Sequence, residues 1–403
     1  MPAGSEGPLR VAFTSIVNLG WTAGAHYYAN LFRALHQLDD ARRPRVVVME
    51  PGRSKTAGYE TYSHFADETI ARPLPPRSVL RRGVDKVRRL ARPATDARLE
   101  DELRARDIDV LFAAWREFGP GFDVPALGWI PDFQHVHHPE LFSAEENRHR
   151  DALFARMAAN CTRIVLSSND ARSDYERFAP ASASKADVLR FVAHVPASVY
   201  EGDPSTVCRE YHLPDRFVYL PNQFWAHKNH VLVIDALQQL RTARPEITVV
   251  CTGNPSDNRA PLHFAQLLAQ ASRAGVREQF VMLGWVPHEH IYFLMRQSLA
   301  VLQPSRFEGW STTVEEAKSI GKRLLLSNIP VHREQAPAEA RYFDPSDASA
   351  LADLLQEVYD TRTPGPDVAL ERRARAELPG RMTMYAEEFV DVVTRAMSDH
   401  ATR

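Results

Sequence analysis

The sequence predicts an α/β protein made of two doubly wound domains. Its 403 residues are 44% hydrophobic, which is more chain than a single core comfortably holds. Short aliphatic runs alternate with helical patterns in both halves, as in parallel sheets that are covered by helices. A polar, proline-containing stretch at residues 195–214 separates the two series, and we expect the linker there.

The first series predicts an N-terminal domain over residues 1–200. Its strands are short runs of β-branched and aliphatic residues, which are typical of buried strands. These runs are residues 9–14, 45–49, 109–113, 126–130 and 163–166. Helical patterns lie between them at residues 25–38 and 147–159.

The second series predicts a C-terminal domain over residues 201–380, with connections short enough for right-handed crossovers. Its predicted strands are residues 217–220, 247–251, 279–283, 299–302 and 323–326. Its helices are predicted to begin at Val231, Leu262, His290, Thr313 and Ala348. The last helical pattern, residues 382–398, predicts a helix that packs back on the first domain.

Composition narrows the class of protein. A net charge of −2 gives no basic field, so nucleic acid is not an expected partner. The three cysteines, Cys161, Cys208 and Cys251, are too far apart for a disulfide framework or a metal motif. The start has no signal-peptide pattern, and no apolar run approaches the roughly 20 residues that span a bilayer. We therefore expect a cytoplasmic protein.

One basic segment, residues 77–92, has an amphipathic helical pattern. Its valines and leucines fall on one face, opposite arginine and lysine. Such a helix can rest on an anionic membrane, which would place the protein at the inner face of the membrane. A solvated cationic face is the commoner explanation of the same pattern.

The pair Glu308 and Glu316, separated by seven residues, lies where a short apolar strand passes through a loop into a helix. Gly309 frees the loop backbone, and residues 311–313 offer hydroxyl groups and N–H groups at the helix start. A phosphate suits that helix start. The two carboxylates would then bind hydroxyl groups, which a nucleotide sugar presents on both sides of its diphosphate.

Helix capping is the alternative explanation of the acids. Thr312 with Glu315, or Thr313 with Glu316, fits a capping box, in which the acid only satisfies an amide at the helix start. We expect Glu315 to do only that. Glu308 precedes the helix, so capping explains it less well.

Ligands of doubly wound proteins bind beyond the carboxyl ends of the strands, so loops that follow strands carry the other candidates. One such loop contains Lys228, and another contains Asp132 and His135. Gly24 can let the backbone approach a phosphate at the start of the first helix. His137 and His138 also suggest a metal site, but no second acidic cluster supports it, so no metal is predicted.

These residues carry a resemblance to a known family. The second half is similar to the donor-binding half of retaining GT-B glycosyltransferases of family 4, and the first half matches weakly, at Gly24 and residues 132–135. The second-half features that carry the resemblance are Glu308 with Glu316, the Lys228 loop, Gly253, residues 284–287 and residues 327–335. The resemblance implies two Rossmann-like domains that face a central cleft.

The resemblance also implies the reaction. A sugar would pass from a UDP- or GDP-sugar to a hydroxyl of a glycan, lipid-linked or small-molecule acceptor, with retention of configuration. No cofactor or metal ion would be required. The implied pathway is the biosynthesis of a polysaccharide or a natural product.

Three residues receive the main roles from the resemblance. Lys228 would neutralise the diphosphate as its bond to the sugar breaks. Glu308 would bind sugar hydroxyls near the anomeric centre, and Glu316 would bind the ribose. Many relatives have an arginine where Gln223 stands, so Arg306 is a candidate substitute.

The remaining implied contacts shape the pocket. The backbone of residues 309–312, which are Gly309, Trp310, Ser311 and Thr312, would surround the sugar and phosphate. Trp285 and Val286 would hold the nucleotide base, although a tryptophan packed under a loop is an equal alternative for Trp285. Asp132 and His135 would face the sugar and the acceptor, whereas an ordinary loop histidine is the alternative for His135.

Two other functions fit the same architecture. One is a sugar-nucleotide epimerase or a phosphorylase, because both use the same type of cleft. The other is a non-catalytic protein that binds a nucleotide sugar. The retained Glu308, Glu316 and Lys228 argue against a decayed site.

Overall fold

A computed structural model describes residues 7–16, 22–50, 58–70, 96–257 and 259–402. Within them, the chain divides into two compact units. The first takes its residues from 1–133, 144–192 and 380–403, and the second takes 134–143 and 193–379. The basic segment 77–92, and most of the loop that follows the first strand, lie outside the described residues.

The first half of the chain alternates strands and helices. In chain order its elements are β1 (Arg10–Phe13), α1 (Thr22–Leu35), β2 (Arg45–Met49), α2 (Tyr59–Ser63), β3 (Glu68–Ile70), α3 (Ala97–Arg104), β4 (Val110–Ala114), β5 (Ala126–Ile130), α4 (Gln134–His137), α5 (Ala144–Asn160), β6 (Arg163–Leu166), α6 (Asn169–Phe178) and β7 (Ala186–Val188). The seven strands form one parallel sheet in the order β3-β2-β1-β4-β5-β6-β7.

The second half repeats the pattern. Its elements are α7 (Ala197–Glu201), α8 (Ser205–Glu210), β8 (Val218–Pro221), α9 (His230–Leu240), β9 (Val249–Thr252), α10 (His263–Ala274), β10 (Phe280–Gly284), α11 (His288–Gln297), β11 (Val301–Gln303), α12 (Thr312–Ile320), β12 (Leu324–Ser327), α13 (Pro330–Gln335), β13 (Arg341–Phe343), α14 (Ala348–Thr361) and α15 (Val368–Ala401). The six strands form a parallel sheet in the order β10-β9-β8-β11-β12-β13.

The strand order of the second sheet determines where a ligand site can form. The chain moves outward from β8 to β9 and β10, and then returns to place β11 on the other side of β8. The connections after β8 and β11 therefore run in opposite directions along the sheet, and this reversal of strand order opens a crevice at the carboxyl edge. Lys228 follows β8, and Glu308 follows β11.

Both sheets have cores of the expected buried aliphatic and aromatic residues. In the first unit, the rings of Tyr27 and Trp129 stack at 3.9 Å. Phe389 of α15 stacks on Phe13 of β1 at 5.9 Å, so the end of the chain packs in this unit. The second core includes Leu220, Leu237 and Leu302, which are fully buried.

Three edge strands and the last helix differ from the sequence prediction. The edge strands β3, β7 and β13 were not predicted, because each has only 3 residues and shows no clear period. The last helix begins at Val368 rather than at residue 382 and contains Pro379. Its early turns bury Leu370, Ala374 and Leu378 at helical spacing, which continues the apolar stripe across the proline.

The expected linker also has structure. Helices α7 and α8 lie within it, and the boundary between the units falls at residues 192 and 193. Residues 134–143 cluster with the second unit, although they lie well inside the first series of strands. No described helix is long and apolar enough to cross a membrane.

A buried lysine holds the start of α15 to the second unit. Lys322 donates hydrogen bonds to the carbonyls of Arg296 at 3.2 Å and Gly365 at 2.8 Å. Its Nζ lies 3.7 Å from the carboxylate of Asp367. Burial lowers the pKa of Lys322 from 10.5 to about 8, although Asp367 opposes this shift.

This pKa predicts that stability rises with alkaline pH. Between about pH 8 and 10.5 the unfolded chain binds a proton at Lys322 that the folded protein has released. The stability of the wild type relative to Lys322→Met should therefore increase by about 2 kcal/mol between pH 7 and pH 10. Chemical denaturation of both proteins at the two pH values measures this, and a constant difference would contradict it.

Candidate functional site

A nearly buried ion pair lies at the carboxyl edge of the second sheet. Nζ of Lys228, at the end of a 3-10 turn after β8, is 2.6 Å from Oε1 of Glu308, in the loop after β11. The two side chains are 12% and 9% exposed. A charged pair with so little water depends on good geometry and on further hydrogen bonds.

Hydrogen bonds to backbone carbonyls join the two loops that carry this pair. Asn229 adopts the left-handed conformation, with φ of 59°, and starts α9 directly after Lys228. Its side-chain amide donates to the carbonyls of Pro304 at 3.0 Å and Pro345 at 2.9 Å. The Arg306 amide donates to the His227 carbonyl at 2.8 Å. Lys228 is thereby held against the loop that carries Glu308.

Among the residues that the structure describes, Glu308 accepts hydrogen bonds through one of its two oxygens. Oε1 accepts from Lys228 and also from Nε2 of Gln303, at 3.1 Å. No described residue donates a hydrogen bond to Oε2. Because a carboxylate has acceptor sites on both oxygens, Oε2 can accept hydrogen bonds from a ligand.

The helix start beside Glu308 differs from the predicted capping box. Ser311 is the N-cap of α12, so the third helical position is Val314, which cannot cap. The first intrahelical bond joins the Glu315 amide to the Ser311 carbonyl at 3.1 Å, and the amides of Thr312 and Thr313 precede it. These first-turn N–H groups give the helix start its affinity for anions.

The two acids of α12 have partners other than the helix start. Glu315 accepts from Lys318 at 2.9 Å and from Gln335 at 3.2 Å, so the expectation that it caps the helix is wrong. Oε1 of Glu316 lies 2.8 Å from Nε2 of His288. Glu316 is 6% exposed, so the imidazole supplies a hydrogen bond that water cannot.

The backbone position of Gly253 leaves no room for a side chain. Its φ is 145°, and a Cβ there would lie 2.1 Å from the Asn222 carbonyl oxygen. Its amide donates to the Gly284 carbonyl at 2.8 Å, which joins the ends of β9 and β10. Oε1 of Gln223 accepts from the Asn254 amide at 2.7 Å, so this side chain supports the loop after β9.

The other predicted donor contacts differ in exposure. Trp285 is 73% exposed, whereas the side chain of Val286 is buried and leaves mainly its backbone for a ligand. Arg306 is exposed, Gly309 is partly buried, and Trp310 is buried beside the helix start. The alternative explanation, in which Trp285 packs under a loop, therefore does not hold.

Three buried histidines that are not among the predicted site residues lie around the ion pair. Burial lowers the pKa of His332 to about 4 and that of His230 to about 3. Burial also lowers the pKa of His227 well below its usual value, and Lys228 contributes to that shift. All three imidazoles are neutral at pH 7, so they add no positive charge beside Lys228.

The candidates from the first half fall in different units. Gly24 is buried in α1, and Asp132 is partly buried two residues after β5. His135 is buried in α4, within the segment that packs with the second unit. Gln134 of this segment accepts from Arg259 at 3.0 Å, and the His137 ring lies 5.2 Å from that of Phe307.

Metal ligation was a weak alternative for these histidines. The described residues contain no group of three or more His, Cys, Asp or Glu that could hold a metal ion. His138 pairs instead with Glu140, at 3.0 Å.

His288, the partner of Glu316, could have been predicted as a site residue from the sequence, since it directly follows the motif at residues 284–287.

Comparisons with known proteins agree with the resemblance. Residues 212–377 match the family model described as glycosyl transferases group 1. Over 96 residues the chain is 31% identical to O-antigen chain mannosyltransferase B of Escherichia coli, a match that covers 23% of this chain and 25% of that protein. The chain therefore matches about a quarter of that relative's length.

Solved structures match almost the whole chain. A glycosyltransferase from Rickettsia africae has a TM-score of 0.66 and 13% identity, covering 97% of this chain and 99% of its own. Anabaena Alr3699/HepE in complex with UDP and glucose has a TM-score of 0.63 and 16% identity, covering 98% and 99%. The predicted GT-B fold of two Rossmann-like domains is confirmed.

The close approach at Gly253 predicts a large effect of one methyl group. Gly253→Ala combines an unfavourable positive φ with overlap on the Asn222 backbone. Gly365→Ala is the matched control, because Gly365 has φ of 103° and open space around its Cβ position. Gly253→Ala should lose at least about 2 kcal/mol more stability than the control in chemical denaturation. Equal losses would contradict the overlap.

Proposed function

We propose that this protein, whose residues 212–377 match the family model described as glycosyl transferases group 1, is a retaining glycosyltransferase. It would move a sugar from a UDP- or GDP-sugar to a hydroxyl of a glycan, lipid-linked or small-molecule acceptor. The observation that carries the proposal is the nearly buried pair Lys228–Glu308 beside the start of α12. It combines a cation, a carboxylate and helix amides where a sugar diphosphate needs them.

The cationic part of the site suits the diphosphate. The ammonium group has three donors, so Lys228 can keep its bond to Glu308 and still donate to phosphate oxygens. The amides of Thr312 and Thr313 add the partial positive charge of a helix start. Charge that develops on the leaving diphosphate would be stabilised by groups already in position.

The carboxylates suit the hydroxyl groups on both sides of the diphosphate. Oε2 of Glu308 would accept from hydroxyls of the transferred sugar. Glu316, oriented by His288 at 2.8 Å, would accept from the ribose. A sugar that lacks the bonded hydroxyl would leave a carboxylate unpaired, so this arrangement also gives selectivity.

The end of β10 suits the nucleotide base. Trp285 presents an exposed ring, and the backbone of the buried Val286 follows it directly. A flat base can stack on an indole while backbone groups bind its edge. In the Anabaena protein the nucleotide of the complex is UDP or UDP-glucose, which supports a nucleotide-sugar donor for this chain.

The proposed reaction is a substitution on one face of the sugar. The acceptor oxygen bonds to the anomeric carbon as the bond from that carbon to the diphosphate oxygen breaks. The acceptor proton passes to the leaving diphosphate, so no separate base is needed. Lys228 and the start of α12 hold the released charge, and we therefore expect transfer to persist without a metal ion.

Two assignments extend the proposal to the rest of the chain. Gly24, Asp132 and His135 would contribute to binding of the sugar and the acceptor, as the family resemblance implies. Composition supports a cytoplasmic location, and contact of residues 77–92 with an anionic membrane would bring the enzyme to a lipid-linked acceptor.

The first experiment identifies the donor. UDP- and GDP-sugars are screened for nucleotide diphosphate release with and without acceptors, in the presence of EDTA. Release that depends on an acceptor, with an α- or β-linkage that matches the donor, supports the proposal. An isomerised donor indicates an epimerase, dependence on phosphate indicates a phosphorylase, and binding without turnover indicates a non-catalytic protein.

Substitutions at the ion pair test the assigned roles. We expect Glu308→Gln and Lys228→Met each to lower kcat/KM for transfer by about 100-fold or more, because each removes charge complementarity at the reacting centre. Glu357→Gln is the matched control, since Glu357 forms an exposed pair with Arg341. Rates near those of the wild type in either site variant, with normal circular dichroism, would refute the roles.

A further inference from the structure

A buried amide connects the parts of the proposed donor site. Gln303 is the last residue of β11 and is 0% exposed. No sequence pattern predicts a role for it. A buried polar side chain at the end of a central strand needs hydrogen-bond partners, and the choice of partners shows what the side chain positions.

Gln303 uses both ends of its amide. Its Oε1 accepts a hydrogen bond from the side chain of Asn222, in the loop after β8. Its Nε2 donates to Oε1 of Glu308 at 3.1 Å and to Oγ of Ser311 at 2.8 Å. These bonds join the loop after β8, the acid and the N-cap of α12.

The contact with Glu308 selects one carboxylate oxygen. Lys228 and Gln303 both donate to Oε1, so Oε2 is turned toward neither of them. A lysine alone is a flexible point charge and fixes the orientation of a carboxylate poorly. A planar amide that extends from a buried strand is rigid, and its second hydrogen bond to Ser311 fixes its own orientation.

We propose that Gln303 is a positioning residue, which orients Glu308 so that Oε2 receives the hydroxyls of the donor sugar. This inference rests on the proposed function of the site. It assigns part of the sugar recognition to a residue that is too deeply buried to touch the sugar. The same side chain fixes the distance between Glu308 and the helix start through Ser311.

The test separates recognition of the sugar from recognition of the nucleotide. Calorimetry gives the ratio of the Kd of UDP-glucose to that of UDP, and of GDP-mannose to that of GDP. For the pair that binds, Gln303→Met should raise this ratio about tenfold, as expected for a lost charged hydrogen bond. The Kd of the nucleoside diphosphate should change less than about twofold, which is much less than the tenfold rise expected in the ratio.

A double variant tests whether Gln303 acts through Glu308. Glu308→Met removes both carboxylate oxygens and should raise the ratio at least as much as Gln303→Met. Combining the two changes should raise the ratio no further than Glu308→Met alone, because the residues act in one interaction. Independent, multiplied effects would overturn the proposal.

Gln279→Met is the matched control. Gln279 is also a buried glutamine in the second unit, and its Nε2 donates to the carbonyls of Arg244 at 3.2 Å and Ile247 at 3.0 Å. We expect it to lower the melting temperature without changing the ratio. If Gln303→Met does not fold, Gln303→Glu keeps an acceptor for Asn222 but sets a carboxyl group against Glu308, and it should raise the ratio similarly at pH 8.

The outcomes separate this proposal from the proposed function. Equal weakening of nucleotide and nucleotide sugar would show a purely structural role for Gln303. If none of the four ligands binds the wild type, the donor assignment fails for UDP-glucose and GDP-mannose. Thermal unfolding without ligand then tests whether Gln303 acts through Glu308. Losses in melting temperature that add fully between Gln303→Met and Glu308→Met would then overturn the link.

Discussion

The site depends on keeping opposite charges close together in a place with little water. Lys228 and Glu308 lie 2.6 Å apart at low exposure, so each replaces solvent that the other has lost. Gln303 adds a neutral donor to the acid, and the surrounding imidazoles add no competing charge. The left-handed Asn229 and the bond from Arg306 to His227 hold the two loops at the required separation.

Sheet topology explains why these particular loops meet. Strands β8 and β11 are neighbours in space but lie at the two ends of a long sequence interval. The carboxyl edge of a parallel sheet collects the loops of all its strands, and the reversal of strand order opens a crevice there. Asn222, Gln303 and Ser311 then connect this edge by side-chain hydrogen bonds, where the strands themselves have ended.

Much of the fold could be predicted because buried strands and amphipathic helices have strong periods. Arg45–Met49, Ala126–Ile130 and Arg163–Leu166 match their predicted bounds. The pairing of Lys228 with Glu308 was accessible only through resemblance, since the residues are far apart in sequence. The N-cap at Ser311 rather than Thr312 shifts the helix register by one residue, and that shift removes the capping box. Gln303 has no sequence signal, because its role depends entirely on tertiary contacts.

The amide of Gln303 has a consequence for how the site responds to its surroundings. Salt screens interactions between exposed charges, and acid titrates carboxylates and imidazoles. The neutral amide of Gln303 has no charge for salt to screen and no group for acid to titrate. Its bonds to Asn222 and Ser311 are therefore independent of ionic strength. The part of the frame that Gln303 contributes is therefore uncharged, and changes in the ionic composition of the medium act on the ligand's charge and on the Lys228–Glu308 pair instead.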